Sequence, residues 1–208
     1  MKIELADIRK QLAVCGLRIN PHPWGWDQPW YVGIHHIVGV HHIHDWDHGY
    51  DEYGFEPRCR YNGTRRQFYS DMNEMTSFLQ KYIVKKSISE FIVAPFHMIR
   101  QFECIDNDCE IYREVKQFLK SFDIRGGSQA GVKLSVKETD VIEMVIESAF
   151  RGVSFLSILF FEANVLVSPN HHFGMAFHTQ SPNEEKEIIQ LLLKDFPNIK
   201  FYERGISD

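Results

Sequence analysis

The sequence has no long hydrophobic run. Its most apolar stretch, Phe155 to Phe161, falls well short of the ~20 residues a helix needs to cross a bilayer, so no membrane span is expected. It has no excess of basic residues either. Lys and Arg number 23 against 28 Asp and Glu, a net charge of −5 with a pI near 6.1. Nucleic-acid binding leaves an electrostatic footprint of surplus Lys and Arg, so nucleic acid is not the expected partner. Cysteine is sparse: Cys15, Cys59, Cys104 and Cys109 are the only four. The first residues carry Lys2, Glu4 and Asp7 without the apolar stretch of a secretory signal. A cytoplasmic protein is expected, with reduced thiols packed as small hydrophobes. Core-forming residues are not lacking. With 44% hydrophobic and 13% aromatic residues the chain is not disordered, and 208 residues suit one domain spanning 1–208. A chain of this size buries roughly 70% of its unfolded surface, enough for a core without disulfides or metal.

Periodicity places the elements. Leu5, Ile8 and Leu12 lie on one face of a helix that Gly16 stops. Asn62-Gly63 suggests a loop or edge hairpin over 58–69. Asp71 with Glu74 reads as a capping pair opening a helix over 71–85, with Met72, Met75, Leu79, Tyr82 and Ile83 as its apolar stripe. Strands are expected at 90–94 and 98–104 around Pro95, and a short one at 132–136. Helices are expected at 109–122 and 139–150. Three strands, 154–161, 165–168 and 173–178, are joined by turns too short for anything but antiparallel neighbours. Ser181-Pro182-Asn183-Glu184 has the form of a capping box with Pro in the first turn, opening a helix over 183–195 with Ile188, Leu192 and Leu193 inward. A last strand covers 199–202. There is no regular β-α-β alternation, so the expected class is α+β, a mainly antiparallel sheet with helices packed on one face.

One segment departs from the rest. Between Arg18 and Arg58 there is no Lys or Arg at all. The stretch holds six acids (Asp27, Asp45, Asp47, Asp51, Glu52 and Glu56), every tryptophan of the chain (Trp24, Trp26, Trp30 and Trp46) and seven of the eleven histidines. Residues 19–69 therefore stand out as a candidate aromatic, His-rich subregion. Inside it, Val32-Gly-Ile-His-His-Ile37 is followed by Val38-Gly-Val-His-His-Ile43. A six-residue repeat is a multiple of the strand period, which suggests one long strand or two short ones broken at Gly39.

The candidate metal ligands follow directly. Imidazoles and carboxylates are the ligand set of zinc and other divalent transition metals. On a strand, His42 and His44 share a face at a workable spacing, and Asp47 or His48 in the turn beyond supplies a third ligand. The run resembles the His-x-His-x-Asp-His signature of metallo-β-lactamase-fold hydrolases. It departs from it in register, because Asp47 and His48 fall three and four positions after His44 rather than two and three. The family is not carried over. The same run also fits a His-rich hairpin packed against tryptophans, its rings satisfied by backbone groups or by Asp45 and Asp47.

Other features carry less. His172 and His178 share a strand face with Gly174 and Ala176 between them, which reads as the solvent side of an amphipathic strand. Arg58, Arg60, Arg65 and Arg66 alternate with Tyr61, Phe68 and Tyr69, a pattern suited to internal ion pairing or a protein-facing patch in a net acidic chain. Gly126-Gly-Ser-Gln-Ala-Gly131 runs from helix into strand, the wrong direction for a phosphate loop. Cys104 and Cys109 stand at the edge of zinc spacing without a second pair.

Two functions are compatible with these residues. The first is a protein-binding module: Trp24, Trp26, Trp30, Asp51 and Glu52 would meet a basic partner protein, since tryptophan dominates binding hot spots and carboxylates steer basic surfaces. In size, acidity and α+β make-up the chain resembles the small acidic immunity proteins that neutralise bacterial toxins. That resemblance implies an antitoxin-like inhibitor. The alternative is a metal-dependent hydrolase using His42, His44, Asp47 and His48 with a metal such as zinc.

Overall fold

The computed structural model describes residues 1–17, 36–42, 61, 63–94, 110–124, 130–154, 156–170 and 173–203. Along the chain these residues form β1 (Lys2–Glu4), α1 (Leu5–Val14), β2 (His36–His42), α2 (Arg65–Lys85), β3 (Glu90–Ala94), α3 (Glu110–Ser121) and β4 (Ala130–Ser135). Then follow α4 (Thr139–Phe150), β5 (Ser157–Phe160), β6 (Val165–Asn170), β7 (Gly174–Thr179), α5 (Pro182–Asp195) and β8 (Ile199–Glu203). The strands make one eight-stranded sheet in the order β1-β4-β3-β5-β6-β7-β2-β8. Every neighbouring pair is antiparallel. This is the α+β class expected from the sequence. The three strands joined by short turns lie side by side as β5, β6 and β7.

Alternate residues of each strand point to opposite faces, and in the sheet's middle both faces are buried. Phe91 and Val93 of β3, Ile158 and Phe160 of β5, and Val165 and Val167 of β6 join the larger core, with the apolar stripes of α2, α3, α4 and α5. Ile92, Ala94, Leu159 and Leu166 face the other way, into a smaller core closed by Ile8, Leu12, Cys15 and Leu17 of α1 and its end. Four helices thus pack on one face and α1 adds a shorter cover to the other. Each fully buried Leu, Ile or Phe contributes ~1.5–3 kcal/mol toward the folded state. Leu191 and Leu192 carry the inner face of α5, whereas Leu193, expected inward, is 69% exposed.

Two glycines are dictated by geometry. Gly16 follows α1 with φ +73°, a left-handed conformation that side chains disfavour, and its carbonyl accepts from the Gln180 amide. Gly131 lies under β3 so closely that an added Cβ would meet the Val93 carbonyl at 2.7 Å.

α2 begins earlier than its carboxylates suggest. Thr64, not Asp71, is its N-cap: the Thr64 hydroxyl accepts from the Gln67 amide at 3.3 Å, and the Gln67 side chain accepts from the Thr64 amide at 2.9 Å. Asp71 and Glu74 are therefore interior helix residues, free to point at another element. β2 is a single strand running through Gly39, which pairs with Ala176 on one side and Tyr202 on the other. The expected strand at 98–104 and the glycine loop at 126–129 lie outside the described residues.

Candidate functional site

β2 ends at His42, on the sheet face that α2 covers. Val40, two positions before it, belongs to the larger core, and period two sends His42 the same way. Asp71 and Glu74, three apart on α2, share one side of that helix and meet the imidazole. Nε2 of His42 lies 3.0 Å from Oε2 of Glu74, and Nδ1 lies 3.3 Å from Oδ2 of Asp71. The Tyr61 hydroxyl donates to the same Asp71 oxygen. The Asn198 amide, just before β8, donates to both Glu74 oxygens at 3.2 Å. A polar chain Tyr61–Asp71–His42–Glu74–Asn198 thereby links β2, α2 and the approaches to α2 and β8.

The chain rests on an aromatic floor. Phe173, held at φ +55°, meets the His42 ring edge-on at 6.3 Å between centroids. It also packs against Phe150 at 4.3 Å and Tyr61 at 4.7 Å, both tilted to it, and against Phe68 edge-on at 5.3 Å between centroids. His42 is only 3% exposed. Its two nitrogens face two different carboxylates, which fixes the plane of the ring and ties strand to helix. The residue types are those of a metal site, yet among the described residues no group of three or more His, Cys, Asp or Glu side chains is arranged to hold a metal ion. The geometry shows why: Asp71 and Glu74 lie at opposite ring nitrogens, so a metal on one nitrogen reaches only one of them.

Of the residues singled out by sequence, His42 alone of the candidate ligands is described. His44, Asp47 and His48 lie outside the described residues, as do Trp24, Trp26, Trp30, Asp51 and Glu52. The reading of Asp71 and Glu74 as a helix cap hid their contact with His42. A signal was present: a carboxylate pair in the middle of an amphipathic helix, one turn beyond a Thr-x-x-Gln box.

His178 was expected on a solvent face and is instead 1% exposed. It stands opposite Ile37 and Leu166 in the sheet. On the same face, Ser157 and Ser168 hydrogen bond across β5 and β6 at 3.1 Å. His171 and His172 lie outside the described residues. In the arginine-rich stretch, Tyr61 and Phe68 are core side chains. Arg65 lies over the Tyr69 ring at 5.8 Å, and the Tyr69 hydroxyl donates to Glu147, which also binds Arg151 at 2.9 Å. Burial, then the Glu147 carboxylate, raises the Tyr69 hydroxyl above its ordinary pKa.

A second polar group links α2 to α5. Buried Glu184 accepts from the Tyr82 hydroxyl at 2.6 Å and pairs with Lys86 at 2.7 Å, while Lys86 also reaches Glu187 at 3.2 Å. Ser181 caps the Glu184 amide as expected, but the Glu184 side chain turns to Tyr82 and Lys86 rather than completing a capping box. Burial, reinforced by Glu184, raises the Tyr82 pKa. Burial disfavours the Lys86 charge, but Glu184 and Glu187 outweigh it and raise the Lys86 pKa. Cys15 is buried, and burial pushes its thiol up to about 11. No helix among the described residues is long and apolar enough to cross a membrane. Compared with protein-family models, curated proteins and solved structures, the chain matches none.

Proposed function

We propose that this chain is a cytoplasmic protein-binding module, an immunity or antitoxin-like inhibitor of a basic partner protein. The observation that carries the reading is the composition of the stretch between Arg18 and Arg58: every tryptophan, six acids and no Lys or Arg. Carboxylates without neighbouring cations steer a basic surface toward them, and tryptophans supply rigid contact area at low entropic cost. The strand within this stretch supports the reading. β2 is hydrogen-bonded between β7 and β8 and clamped through His42 to α2. An anchored segment loses less freedom on binding than a free one.

The test is co-purification from the source cells at low and high salt. Wild-type protein should retain a basic protein that salt releases, because charge steering is screened over ~8–10 Å at physiological ionic strength. Trp24→Ala, Trp26→Ala and Trp30→Ala, or Asp51→Asn with Glu52→Gln, should lose it. Identical retention by wild type and variants would refute the reading.

The competing proposal is a metal-dependent hydrolase using His42, His44, Asp47 and His48 with zinc or a similar ion. It is favoured by one observation, the run of imidazoles and carboxylates over 42–48; the α2 carboxylates stand at opposite nitrogens of His42 and are not part of that ligand set. Elemental analysis of protein purified without a metal column decides it. Close to one metal per chain, lost in His42→Ala and in His44→Ala but kept in His171→Ala, would support the hydrolase.

A further inference from the structure

We draw no further inference here: the strongest candidate, the His42–Asp71–Glu74 side-chain cluster between β2 and α2, belongs to the site already described.

Discussion

His42→Ala should destabilise the fold far more than an ordinary surface substitution. The ring is 3% exposed, so its loss leaves a void. A void of roughly 60 Å³ costs about 1.5 kcal/mol at ~24 cal/mol per Å³. The contact with Glu74 at 3.0 Å is also lost. Hydrogen bonds to charged groups contribute ~1.5–3 kcal/mol, and the lower end applies because the Glu74 side chain keeps 24% exposure and Asn198. The expected total is about 3 kcal/mol. In a chain of this length that lowers Tm by roughly 6–12 °C. Urea unfolding of wild type, His42→Ala, Glu74→Ala and the double variant separates the two contributions. The cycle should give a coupling of ~1–2 kcal/mol for the pair, with the remainder shared between the Asp71 contact and packing against Phe173. A His42→Ala variant within 0.5 kcal/mol of wild type, or a coupling near zero, would refute the clamp.

Other perturbations test the rest of the structure. Gly131→Ala should cost ~1–3 kcal/mol in urea unfolding, because its Cβ has the Val93 carbonyl in its way and backbone must shift; a neutral substitution would show that β3 and β4 are less closely apposed. Thr64→Ala should cost about 1 kcal/mol through loss of the α2 cap, with the same cost in a His42→Ala background, whereas Asp71→Ala should cost less in the His42→Ala background than alone, because its partner is then already gone; urea unfolding of both variants, alone and with His42→Ala, distinguishes them. Cys15 gives a pH signature. Well below pH 9 its thiol is protonated folded and unfolded; as pH rises from about 9, where the unfolded thiol ionises, toward 11, where the folded one does, the unfolded state gains. The alkaline loss of stability should therefore be smaller in Cys15→Ala over that window, and alkylation mapped by mass spectrometry at pH 8.5 should modify Cys15 only after denaturation. Lys86, raised by Glu184 and Glu187, contributes stability that is present below its unfolded pKa and lost as pH rises through its folded value; Glu184→Gln should flatten the stability profile at the alkaline end, and an unchanged profile would argue against the pairing.

What was legible in the sequence was what local pattern decides. α4 runs over the residues its stripe of Val145 and Ile146 indicates, and the turns between β5, β6 and β7 are short enough to leave only one strand direction. At the start of α2 two local signals compete, and the structure follows Thr64. Asn62-Gly63 and the Asp71/Glu74 pair point to a later start than Thr64 with Gln67, although Phe68 in the larger core already belongs to the helix. Side-chain partners distant in sequence left no spacing to read. Glu184 obeys its cap at the backbone, yet its carboxylate goes to Tyr82, 102 residues away. Period two correctly assigned His178 to the face opposite Met175 and Phe177 but says nothing about whether a face is covered. The His42 contact with Asp71 and Glu74 is of the same kind: it depends on which helix lies across the end of β2.

The position of β2 in the sheet has a consequence for synthesis. Both neighbours of this early strand come from the far end of the chain, Ile37 opposite His178 and Gly39 opposite Tyr202. At ~5–20 residues per second, β2 leaves the ribosome on the order of ten seconds before either partner exists. During that interval its backbone donors and acceptors have no sheet to join, and an unpaired strand is a template for other chains. The acids and the absence of Lys and Arg around it give the nascent segment a single sign of charge. Like charge keeps neighbouring nascent copies apart, so the composition proposed to draw in a basic partner would also protect the strand while it waits.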